Sequence, residues 1–141
     1  MNIEVFIAGS DENINSCFPV FKELRPNLLH ETFLLQVRRQ ECQSYKILTL
    51  RQEGIIKSVA GFRFCEFLAW GNVLYIDDLA KLQNAKGNGF AGILLNWLIE
   101  HAKKSGSAGV HLDKGYSRHA AHRLYLNKGF QFNCHHLAIE W

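Results

Sequence analysis

Residues 86–92, Lys86-Gly87-Asn88-Gly89-Phe90-Ala91-Gly92, constrain this chain more than any other segment. Before them, Val73-Leu74-Tyr75-Ile76-Asp77-Asp78-Leu79 reads as a strand, and after them an apolar helix runs to Lys104. Phe90, Leu94, Trp97 and Leu98 share one side of that helix, with Ala91, Leu95 and Ala102 beside them. Ser105-Gly106 ends it, and Lys103 and Lys104 suit its negative end. A helix's first turn presents unbonded N–H groups and a partial positive charge, which together favour phosphate. Gly87, Gly89 and Gly92, with small Ala91, leave the backbone open to an anion, and Lys86 adds a cation. A plain tight turn uses glycines too; the strand before and the helix after are what favour a ligand. A Walker A loop would need Gly-Lys-Ser/Thr where Ala91-Gly92-Ile93 stands. A dinucleotide fold would place its glycines after the first strand, not the fourth.

The remaining elements follow from changes of period. Ile3 to Ile7 reads as a strand closed by Gly9-Ser10, and Ile14, Cys17, Phe18, Phe21 and Leu24 recur at helical spacing. Pro19 lies inside that pattern, and an interior proline costs about 3 kcal/mol, so this helix starts just before it or bends there. After the break at Arg25-Pro26-Asn27, a helix from His30 to Cys42 turns Phe33, Leu34 and Val37 inward. Tyr45–Leu50 and Ile55–Phe67, joined at Gln52-Glu53-Gly54, form a hairpin. Val110–Leu112 is a short strand, Arg118–Asn127 a helix stopped by Gly129, and Phe130 to Trp141 an extended segment. The order β-α-α-β-β-β-α-β-α-β indicates an α/β domain with a mixed sheet.

With 141 residues the chain fits one domain, 1–141, and nearly half of it is apolar, as a folded core requires. A net charge of +3 from scattered basic residues is too mild for a nucleic-acid groove. No apolar run approaches the roughly 20 residues of a membrane span, and Met1 to Val5 lack the pattern of a signal peptide. Cys17, Cys42, Cys65 and Cys134 follow no zinc spacing and read as reduced thiols, so a cytoplasmic protein is expected. His119 and His122 share a helix face, but no third metal ligand is identifiable.

Lys86 to Ala91 resembles the Q/R-x-x-G-x-G/A pyrophosphate loop of the GCN5-related N-acetyltransferases, the GNAT superfamily. Tyr75-Ile76-Asp77-Asp78-Leu79-Ala80 is similar to the strand before that loop. Ala121-His122-Arg123-Leu124-Tyr125-Leu126-Asn127-Lys128-Gly129-Phe130 is similar to the family's second motif. The element order matches across essentially the whole chain. Lys86 replaces the usual Arg or Gln, Gln83-Asn84 stands where Pro-Glu is common, and Arg118 occupies the place of an Asn that contacts pantetheine.

The resemblance implies a GNAT-like sheet of about six to seven strands, flanked by about four helices and splayed between the fourth and fifth strands. It implies acetyl-CoA as cofactor, held along Leu79, Ala80 and Lys81 and at Lys86, Gly87, Asn88, Gly89, Phe90, Ala91 and Gly92, with Arg118 beside the pantetheine. The Lys81 N–H would meet the pantetheine and the Leu79 N–H the thioester carbonyl, a single donor worth about 3 kcal/mol. Tyr125 would protonate the leaving thiolate. Asp77 or Asp78 would serve as base; side chains alternate along a strand, so only one enters the acceptor cleft unless a bulge intervenes. His122 and Arg63 are candidate acceptor contacts, Arg63 for a carboxylate. The implied reaction is N-acetylation of a small amine or amino-acid derivative. A protein N-terminus or lysine as acceptor, and a non-catalytic acyl-CoA-binding module, are the alternatives. A homodimer pairing through the segment that ends at Trp141 is also expected, with no nucleic-acid or membrane partner.

Overall fold

The computed structural model describes residues 2–85, 88–113 and 119–141, excepting the side chains of 119–122. Strand β1 (Ile3–Ile7) leads into α1 (Asp11–Ser16), capped by Ser10, whose hydroxyl accepts from the Asn13 N–H at 3.1 Å. The chain breaks at Cys17 and continues as α2 (Phe18–Leu24), with Pro19 in the first turn, where a missing N–H costs nothing. Of the two outcomes allowed by the sequence, the helix therefore divides, and α1 and α2 form one bent arm. Helix α3 (His30–Glu41) follows, then β2 (Lys46–Gln52), β3 (Ile55–Phe67) and β4 (Gly71–Lys81). Glu53 and Gly54, both at positive φ, make the tight turn of the β2–β3 hairpin. Helix α4 (Phe90–Lys104), β5 (Gly109–Leu112) and α5 (His119–Asn127) complete the order, and Gly129 at φ 93° closes α5.

The sheet runs β1-β2-β3-β4-β5, antiparallel except for the β4–β5 pair, whose parallel crossover is α4. Its two faces bury separate cores. On one, Ile47, Val59 and Ala80 pack with Ile14, Val20, Phe21, Phe33 and Val37 of α1–α3. On the other, Leu48, Leu50, Phe62, Leu74 and Ile76 pack with Leu94, Leu95 and Leu98 of α4.

Among the described residues the mixed sheet has five strands, not the six to seven expected. Residues 130–141 form no ladder, and Leu137, Ile139 and Trp141 stand exposed. Apolar alternation marks a segment able to line one face of a sheet, but a ladder needs a partner edge, and β5 is only four residues long. The segment is tied at its start by the Phe130 N–H, which donates to the Tyr125 carbonyl at 3.1 Å, and further on by His136 Nδ1, 2.8 Å from Asp113 Oδ2.

Candidate active site

Strand β4 carries the site because its pairing changes along its length. Val73 to Ile76 pair with Gly109 to Leu112 of β5, and there β5 ends. From Asp77 to Lys81, no described strand covers that edge of β4. The Leu82 N–H donates to the Lys57 carbonyl at 2.9 Å, towards β3. By the alternation of an antiparallel ladder, Ala80 also faces β3, and the N–H groups of Leu79 and Lys81 face the uncovered edge.

On its other side, β4 pairs Asp78 with Gly61 and Ile76 with Phe62, leaving Asp77 as an extra residue, a β-bulge. Both carboxylates consequently meet the α1–α3 side, where simple alternation would have separated them. Tyr45 reaches that side from the end of α3. Ser44, at φ 65°, turns the chain, and its hydroxyl bridges the Phe64 N–H and carbonyl. The Tyr45 hydroxyl donates to Asp78 Oδ2 at 2.9 Å. It passes over Gly61, where an added Cβ would lie 1.9 Å from that oxygen. Burial, and next the Asp78 carboxylate, raise the Tyr45 pKa well above the phenol range, so this hydroxyl stays a donor.

Each carboxylate has its own arginine. Arg25, at the C-terminus of α2, donates from Nε (3.1 Å) and Nη2 (2.8 Å) to Asp78 Oδ1, and from Nη2 to the Asp77 carbonyl at 3.2 Å. Arg63 grips Asp77 with Nε (3.1 Å) and Nη2 (2.5 Å), donates to Gln43 and lies over the Tyr45 ring. Burial raises the Asp77 pKa above the usual carboxylate value, with Arg63 opposing it.

Between this cluster and the α2–α3 loop lies a cavity of about 500 Å³. Phe21, Leu24, Leu28, Phe33 and Val37 form most of its wall; Tyr45 and Asp78 close its inner end, and Arg25, Asn27, Gln36 and Gln40 its polar rim. Lys22 shapes the loop by donating to the Pro26 and Leu28 carbonyls. Arg63 and Asp77 stand beside the cavity and not among its lining residues.

Past the uncovered edge of β4 comes the opening of α4. Gly89, at φ 72°, is its cap, a conformation that suits glycine, and no described side chain caps the first turn. The N–H groups of Phe90, Ala91 and Gly92 have no preceding turn to bond. A Cβ on Gly92 would meet only Lys128 Cε, at 4.0 Å, so packing does not demand that glycine. Lys86, Gly87 and Arg118 lie outside the described residues, as does the side chain of His122. Asn88 donates to the Ala85 carbonyl at 3.2 Å. Tyr125 is half-buried on the α4 face, its ring edge-on to Phe130.

Sequence reasoning missed Arg25, Tyr45 and Lys128. Arg25 registered only as a helix break and Tyr45 only as the start of a strand. Neither carries a local signal, because their partner Asp78 is distant in sequence. Lys128 lies inside the quoted motif, but its approach to Gly92 comes from the packing of α5 beside α4.

Residues 12–130 match the model of the acetyltransferase (GNAT) family. The uncharacterized N-acetyltransferase YhdJ of Bacillus subtilis (strain 168) is 30% identical over 122 residues, 84% of this chain and 84% of that protein. Among solved structures, a Trypanosoma brucei acetyltransferase superposes with a TM-score of 0.82 at 17% identity, covering 99% of this chain and 100% of that one. The aminoglycoside N-acetyltransferase AAC(6')-Iy, in complex with CoA, gives 0.83 at 11% identity, covering 99% and 95%. At such identities these structures share the fold.

Proposed function

Since the chain belongs to the GNAT family of acetyl-CoA-using N-acetyltransferases, we propose that it transfers an acetyl group directly to a primary amine of a small molecule or amino-acid derivative. One observation carries this reading: among the described residues, the edge of β4 beyond Ile76 is uncovered, between an opening of α4 that no described side chain caps and a cavity ending in a carboxylate. A volume of about 500 Å³ suits a small acceptor.

The residues present fit the cofactor. The amides of Gly89 to Gly92 meet the pyrophosphate, and Lys128 adds a cation beside them. Lys86, Gly87 and Arg118 belong to the same proposal. Asn88, Phe90 and Ala91 line the turn, and Leu79, Ala80 and Lys81 run along the pantetheine, with the Lys81 N–H as donor. When bound, acetyl-CoA supplies an activated acetyl thioester. The Leu79 N–H, on the uncovered edge of β4, would be the donor available to a thioester carbonyl oxygen as it gains negative charge. The Asp77–Asp78 pair would take the proton that the acceptor ammonium must lose, directly or through water, and Tyr125 would hold the proton that the leaving thiol needs. The raised Asp77 pKa supports its part in this. Arg63 holds Asp77 in place, and His122 remains a proposed acceptor contact.

A cytoplasmic setting, supported by the scattered charge and four free thiols, and a homodimer, supported by the exposed apolar residues of 130–141, complete the reading. Thiol release from acetyl-CoA over a panel of amines tests it. Tyr125→Phe should keep CoA affinity while kcat falls on the order of a hundredfold. A Tyr125→Phe protein turning over at the parent rate would remove that residue from the mechanism.

A further inference from the structure

The cavity's wall is mostly apolar, and among its described lining residues only two are charged, one of each sign and already paired: Arg25 and Asp78. The two oxygens of Asp78 are held differently. Oδ2 takes the buried Tyr45 hydroxyl, whereas Oδ1 takes both bonds from Arg25. Arg25 is 52% exposed and Asp78 15%, so the guanidinium end of this pair stands in water and can turn away, whereas the sheltered Asp78 Oδ1 then needs another cation in its place. A simple amine taking Oδ1 from Arg25 would leave the guanidinium unpaired. A diamine would bring a second cation with no anion in the lining to meet it. A ligand carrying an ammonium and a carboxylate on one carbon re-pairs both halves at once, and the apolar wall then selects its side chain.

We propose that the acceptor is an apolar α-amino acid, its ammonium on Asp78 Oδ1, its carboxylate on Arg25 and its side chain in the cavity between α2, α3 and β4. This rests on the acetyltransferase reading above and narrows its substrate. In the transfer, a bond forms between the α-nitrogen and the acetyl carbon while the thioester C–S bond breaks. The nitrogen loses two protons overall: one passes to the thiolate by way of the enzyme's acid and base groups, and the other goes to solvent.

The test uses the full chain, first titrated with CoA in a calorimeter and then assayed for thiol release with L-phenylalanine, 2-phenylethylamine and cadaverine. The expected result is a kcat/KM for phenylalanine at least about tenfold above that for phenylethylamine, mainly through KM, with cadaverine poorest. Arg25→Gln should pull the phenylalanine-to-phenylethylamine ratio towards one, and Arg25→Lys should restore part of it. Because both substrates are measured on one preparation, a loss of folded protein cancels in the ratio. Phenylethylamine serving as well as phenylalanine, a ratio indifferent to Arg25, or no turnover of any of the three by protein that binds CoA would each overturn this inference alone. Protein that binds no CoA would overturn the acetyltransferase reading with it.

Discussion

Gly61 is the residue on which the carboxylate cluster depends. Its missing side chain lets the Tyr45 hydroxyl cross β3 and reach Asp78. Gly61→Ala would place a carbon where that oxygen sits, and the expected loss is about 2–3 kcal/mol, read by urea denaturation. Tyr45→Phe, which removes only the donor, should cost about 1–2 kcal/mol, less than the glycine change. Asp77 gives a pH signature. Burial holds its pKa above the unfolded value, so the folded chain binds this proton more tightly. Its contribution therefore favours folding at acid pH and is lost as pH rises through the folded-state pKa. Asp77→Asn should flatten that part of the stability profile, from the ordinary carboxylate range upward, and an unchanged profile would contradict the assignment. The two acids were visible in the sequence, but their common side was not. A bulge is one extra residue opposite a partner strand, and a lone strand's pattern does not register it. Arg63 shows the same limit: its charge was legible as a candidate acceptor contact, which stays a proposal, whereas its bonds to Asp77 were not legible.

At the scale of elements, α4 was legible almost to the residue, because apolar spacing, a glycine opening and a Ser-Gly end agree. The β2–β3 hairpin was legible for the same reason, since period-two runs flank a turn that demands positive φ. The opening of α4 also separates function from stability. Glycine is a poor helix former, and Gly92 has room for a methyl group. Gly92→Ala should therefore raise stability by about 0.5–1 kcal/mol while weakening CoA, by holding the diphosphate away from the first-turn amides. Thermal unfolding and a CoA titration on the same protein would show the two effects with opposite signs. Destabilisation would mean that packing requires the glycine after all. The broken α1–α2 arm was foreseen only as a choice, because Pro19 admits a start or a bend, and tertiary packing of Val20 and Phe21 against β3 and β4 decides.

Across the whole molecule, the mixed sheet followed from the order of periodic segments; the strand count and the division of the interior into two cores did not. Residues 130–141 have a strand's alternation but no described partner strand, and a partner is a property of the assembled sheet. Their exposed Leu137, Ile139 and Trp141 are expected to pair with a second copy. Light scattering should give a dimer mass that Leu137→Ser with Ile139→Ser halves; a parent chain of monomer mass would contradict this. The central claim concerns backbone amides, and amide-resolved NMR during a CoA titration reads them directly. The account predicts the largest shifts at Leu79, Lys81 and Gly89 to Gly92, all saturating together. CoA binding that left those amides unmoved, or no shifts anywhere at low salt, would contradict it.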